Sequence, residues 1–302
     1  MVAQPTRSDW LSIIALGVIW GGAFFSISIA LEGFGPITVA ALRTTLASIA
    51  LLIVAMASGR GLPAWDLKLW RSLFFIGIFS STIPFFLLSW SQQHVPSAFA
   101  GISMAAMPLF VIPLAHVFSD EKANLRKTLG VCLGFIGAAI LVGPGVFSAG
   151  QGDFASLARI ACIGAGLCYA ISSIMTRQCP PIDSILLTGL SLAVGVVFLV
   201  PAMLFFEGVP KWQANRSGFA MLYLGLIPTG LAMVLRARII RSAGSVFMTL
   251  VNYQVPIWSM VLGALILSEE LPFRFFAALL MILAGLVTSQ WYSLKGLFSK
   301  LI

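Results

Sequence analysis

The side chains best placed to do chemistry in this chain are a hydroxyl–amide stripe and one arginine, with no carboxylate among them. Ser245, Thr249, Asn252 and Pro256 recur at helical spacing, so they share one helix face, and Tyr253 and Gln254 follow Asn252 directly. Such groups hydrogen-bond either a polar solute or a neighbouring helix; Asn252 is the leading candidate for the first role. Arg43 is the lone basic residue well inside an apolar run. It either attracts a solute carboxylate and gates access, or caps carbonyls or pairs with Glu32 while reaching toward the membrane surface. Trp20 and Phe24 share a helix face, Tyr169 and Ser173 share another, and Met104, Trp90 and Trp258 lie on further helices. These side chains suit the wall of a pocket for an apolar or aromatic group. With 12% aromatic residues in the chain, core packing or interfacial anchoring is the plainer reading for any one of them. His94 and His116 stand alone, and the four cysteines form no CxxC pair, so neither a metal site nor a cofactor is expected.

The elements that hold these residues are apolar runs. The chain is 59% hydrophobic and 9% charged over 302 residues, against about 25% charged in an ordinary soluble domain. Ten runs long enough to cross a bilayer are read at 10–30, 36–57, 70–90, 96–118, 128–144, 156–177, 183–205, 217–239, 244–267 and 273–293. All ten carboxylates lie at or beyond the ends of those runs, as expected where a buried charge is costly. The runs are continuous rather than alternating, which argues against a β-barrel. The connections are too short to hold a soluble catalytic domain. The net charge of +8 is scattered over helix ends, so a nucleic-acid partner is not expected. The first run is too long for a signal-peptide core and is read as a span.

Thirteen of the eighteen Lys and Arg residues fall on one side if the N-terminus is inside, and four on the other. Both termini are therefore expected in the cytoplasm, in a bacterial inner membrane. Sliding the chain by 148 residues superposes Ser97 on Ser245, Phe99 on Phe247, Pro108 on Pro256, Glu121 on Glu269 and Gly137 on Gly285. That offset predicts two repeats, 1–148 and 149–302, of five spans each. Five is odd, so the second copy enters the membrane upside down. The fold class expected is an all-α membrane protein of ten transmembrane helices in two inverted repeats, with a site near the midplane between them. Pro84, Pro108, Pro228 and Pro256 are the expected helix hinges. Gly130, Gly134, Gly137 and Gly285 are expected to allow close helix packing.

The stretches IWGGAFFSISIAL in the first span and ALRTTLA in the second carry a family resemblance. So do AAMPLFVIPLAHVFSDEKANLRKTLGVCLGFIGAAILV and its echo VPIWSMVLGALILSEELPFRFFAALLMILAGLV. The chain resembles the drug/metabolite transporter superfamily, specifically the EamA-type ten-span permeases, and within them the YddG-type amino-acid exporters. Ser-Glu-Glu in the second half is matched by Ser-Asp-Glu-Lys in the first, so the halves are imperfect copies. The resemblance implies export of amino acids or related small metabolites by alternating access, with the lipid bilayer and a small solute as partners and a monomer sufficient. The absence of deep carboxylates argues against an organic-cation pump. A sugar-phosphate or nucleotide-sugar carrier is the closest alternative; a membrane-embedded enzyme and a non-transporting receptor are more distant.

Overall fold

A computed structural model describes residues 6–118, 125–142, 154–242 and 250–298. Its elements are helical, and each predicted span has its counterpart among them. Helix α1 (Arg7–Leu31) starts at a reciprocal cap between Thr6 and Asp9. Helix α2 (Pro36–Ala57) opens on a proline, whose missing N–H costs nothing at a first turn. The third span is α3 (Leu67–Gly77), a π segment (Ile78–Thr82) and α4 (Ile83–Ser91). The fourth is α5 (Ser97–Met104) and α6 (Met107–Phe118), and the fifth is α7 (Leu125–Val142). Then come α8 (Phe154–Gln178) and α9 (Ser184–Phe206). The eighth span is α10 (Arg216–Leu224), a π segment (Gly225–Leu231) and α11 (Ala232–Ser242). Helices α12 (Val251–Leu267) and α13 (Phe273–Phe298) complete the chain.

Six of these stretches are long and apolar enough to cross a membrane, and four shorter apolar ones accompany them. Large apolar side chains such as Ile53, Phe205, Leu265 and Leu280 are exposed on the outside of the bundle. In water they would form a liability; in lipid they meet solvent of their own kind.

The two π segments fall at matching places in the third and eighth spans. Each is braced by a threonine hydroxyl that donates to the carbonyl five residues back: Thr82 to Gly77 at 3.2 Å and Thr229 to Leu224 at 2.8 Å. Pro228 cannot donate to Leu224, the residue four before it, so the Thr229 hydroxyl satisfies that carbonyl instead.

The fourth span, read at 96–118 with a hinge expected at Pro108, is two helices. Pro108 has no N–H for the Met104 carbonyl. The chain tightens at Ala105 and Ala106, whose amides reach only three residues back, and restarts at Met107. Pro108 is thus the second residue of α6, while Pro256 lies inside the unbroken α12. Pro84 is the second residue of α4 and Pro228 lies within its π segment.

Contacts come in exchanged couples. Helix α1 packs on α12 and on α10–α11; α8 packs on α5–α6 and on α3–α4. Helix α2 packs on α9, and α7 on α13. Glycines set the last seam: Gly285 faces the backbone of Gly130 and Gly134, and Gly137 faces Ile282.

Candidate functional site

Arg43, on α2, is buried at 5% exposure. Its Nε and Nη2 donate to Thr229 Oγ1 at 3.3 and 3.1 Å. Its guanidinium lies 3.9 Å from the centre of the Phe85 ring on α4, a cation–π contact. Tyr169, on α8, is close enough to interact with it electrostatically. No carboxylate pairs with it among the described residues. Glu32, expected as one partner, instead faces Arg216 at 3.9 Å. Arg43 therefore neither pairs with Glu32 nor reaches out to the surface. Its partner instead is Thr229, a buried residue of the second π segment.

Trp20 joins the same junction. Its indole N–H donates to the Pro228 carbonyl at 3.0 Å, within the π segment. Helices from both halves of the chain thus meet at one point: α1, α2 and α4 from the first, α8 and the α10–α11 break from the second. A buried cation without a counter-charge costs several kcal/mol in an apolar interior. Thr229 and Phe85 offset part of that.

Other candidates take different places. Gln254 and Trp258 on α12 press against Gly17 and Gly21 on α1, four residues apart on each helix. Both residues are half-buried at that seam. Phe24 is buried and touches the site of Gly101. Met104 ends α5 with its methyl beside Gly166. Ser173 and Asn252 are half-buried on α8 and α12. The Tyr253 hydroxyl is shielded with no hydrogen-bond partner among the described residues. Ser245 and Thr249 lie outside the described residues. Trp90 sits at the end of α4, edge-on to His94, which also meets Phe154. His94 borders a cavity of about 400 Å³ with Pro96, Arg159, Glu270 and Arg274. A second cavity, about 250 Å³, opens at the other end of the bundle beside Cys179 and Arg236.

Phe85 and Thr229 escaped sequence reasoning. Both follow a flagged proline, Pro84 and Pro228, and that adjacency was the available signal.

Apolar helices of bilayer length that meet around a buried arginine define a helical membrane protein. The EamA-like transporter family matches the chain twice, over residues 9–143 and 156–289, and the chain belongs to that family. It is similar to "Uncharacterized transporter YoaV" of Bacillus subtilis, 23% identical over 91% of this chain and 94% of the relative. It is 27% identical to a "Probable terminal-alkyne amino-acid exporter" of Streptantibioticus cattleyicolor, over 88% of each. "Uncharacterized inner membrane transporter YedA" of Escherichia coli is also 27% identical, over 86% of this chain and 83% of its own. A solved crystal structure shares the fold with TM-score 0.68 at 16% identity, covering 96% of this chain and 99% of its own.

Proposed function

We propose that this transporter exports amino acids or closely related small carboxylates from the bacterial cytoplasm by alternating access. The observation that carries the reading is Arg43: a buried guanidinium, held by Thr229 and Phe85, with no carboxylate partner among the described residues. A solute carboxylate supplies the missing charge, and an arginine fork suits it. Tyr169 and Trp20 come to the same junction, and their aromatic surfaces suit a solute side chain that is neutral or apolar. A relative named as an amino-acid exporter supports the solute class. In this reading residues 1–148 and 149–302 are inverted repeats, both termini face the cytoplasm, and the site between the repeats is exposed to each side in turn.

The test is flux of labelled threonine, methionine and phenylalanine in liposomes holding the purified protein, with and without a pH gradient. The amines lacking the carboxylate serve as controls. Saturable flux of the acids and none of the amines is the expected result. Equal flux of acid and amine removes Arg43 as the receptor of the carboxylate.

A further inference from the structure

We propose that Glu269 is the latch that holds the carrier shut on the side the charge count assigns to the outside. The proposal rests on the transport reading above. The Glu269 carboxylate accepts the backbone N–H of Ser97 at 2.7 Å and of Ala98 at 2.9 Å. These amides belong to the first turn of α5, where no intrahelical acceptor exists and the helix dipole favours negative charge. Glu269 follows α12, from the opposite half of the chain, so the contact joins the halves.

The backbone is shaped for this contact. Ser268 ends α12 at φ 53, the left-handed region, and is the only non-glycine described with positive φ. Glycine is the usual residue at such a turn. A non-glycine held there is an outlier of the kind found where a switch is built. The turn directs Glu269 back along α12 toward α5. Beneath it the two helices interlock through small residues: Gly101 receives Ser259, and Gly263 receives Ser97 and the Glu269 carboxylate.

Comparison with the other seams shows which one is free to part. Helices α2 and α9 are tied at both ends. Glu207 accepts the N–H groups of Ile37 and Thr38 at one end, and Arg60 meets Asp183 at 3.1 Å at the other. The Ser48 hydroxyl donates to the Gly189 carbonyl between them. Helices α7 and α13 interlock through backbone contacts at Gly130, Gly134, Gly137 and Gly285. Helices α5 and α12 are polar-tied at the Glu269 end alone among the described residues. Past the break at Ala105 and Ala106, α6 leaves α12 and packs on α8. That break is the joint on which α5 swings, and Glu269 holds its free end. Releasing the carboxylate hands two amides and one charge to water, which satisfies all three.

Solvent access to the seam decides the matter. Cys132, Cys162, Cys168 and Cys179 are replaced by serine, and Ser97→Cys is introduced as a reporter. Ser97 Oγ is buried with no hydrogen-bond partner among the described residues, so the exchange breaks none of the bonds described. Labelling by a membrane-impermeant maleimide from outside is slow in this parent. Glu269→Ala is expected to raise the rate on the order of tenfold, the change for losing a charge-assisted hydrogen bond. Glu269→Asp is expected to raise it less, and Glu270→Ala to leave it unchanged. Parent-rate labelling in Glu269→Ala overturns the latch. Should that variant fail to fold, Glu269→Gln decides: its amide nitrogen cannot accept an N–H, so faster labelling supports the latch and an unchanged rate overturns it. Labelling needs no substrate, so an error in the solute class leaves this result standing.

Discussion

Arg43 and Thr229, 186 residues apart in sequence, form a relay that ends on the helix backbone. The guanidinium donates to the Thr229 hydroxyl oxygen, and that hydroxyl donates in turn to the Leu224 carbonyl. One side chain thus repairs a helix break and positions a buried cation. The backbone defect and the charge are parts of one device.

Replacing Arg43 separates stability from function. Arg43→Met removes a buried charge whose desolvation costs several kcal/mol, against the loss of its bonds to the Thr229 hydroxyl, worth about 1.5–3 kcal/mol. Thermal unfolding in detergent should shift upward by several degrees while flux of carboxylate solutes falls more than about tenfold. Arg43→Lys keeps the charge but loses the fork to Thr229 and the flat contact with Phe85, so flux should fall there too. An unaltered flux in both variants would remove Arg43 from the site.

The Trp20 indole can be tested by one substitution. Trp20→Phe keeps a ring and deletes the donor to the Pro228 carbonyl. The expected loss is about 1 kcal/mol of stability. Thr229→Val adds a separate deletion at the same break, and the two losses should not be additive because both act on one segment. Additive losses would show that the π segment is not a single unit.

Gly285 leaves no room for a methyl group. A Cβ there would collide with the backbone of Gly130 and Gly134, and backbone cannot step aside. Gly285→Ala should force α7 and α13 apart and cost about 1–3 kcal/mol. Unfolding temperature reads this directly; a neutral effect would mean the seam is looser than described.

The Asp183 end of the α2–α9 seam should respond to acid. Partial burial raises the Asp183 carboxyl, but the amides of Ile185 and Leu186 and the Arg60 guanidinium outweigh it and hold it below the ordinary carboxylate range. A carboxyl depressed on folding stabilises above its unfolded pKa of about 3.9 and loses that contribution as pH falls through the folded value. The pair is partly exposed, so the effect should be within about 1 kcal/mol. Asp183→Asn should flatten the acid limb of stability below about pH 4. An acid limb identical to that of the parent would assign it to other carboxylates.

The spans were legible because each is a local property: twenty apolar residues with charges only at their ends read the same in any context. The structure moved their ends by a few residues and left their number as read. The break in the fourth span was less legible. Pro108 marked it, but whether proline kinks a helix or restarts it depends on whether neighbours satisfy the freed carbonyl. Pro256 shows the other outcome, inside an unbroken α12. Gln254 and Trp258 could be singled out for their chemistry, but their seats against Gly17 and Gly21 of α1 depend on a partner helix more than 200 residues away and could not be read locally.

The sequence by itself determined that this chain lives in lipid, that it consists of apolar spans in two related halves, and that Arg43 stands alone among them. Those are statements about composition, order and spacing. Only the tertiary structure decided what Arg43 touches. Thr229 and Phe85 come to it from distant spans through helix breaks whose direction no local pattern encodes. The same holds for Glu269, whose carboxylate finds the amides of Ser97 and Ala98 across 172 and 171 residues of chain. Which helix end meets which carboxylate is set by how the halves pack, because a capping bond is short and directional while the sequence specifies only that a carboxylate exists.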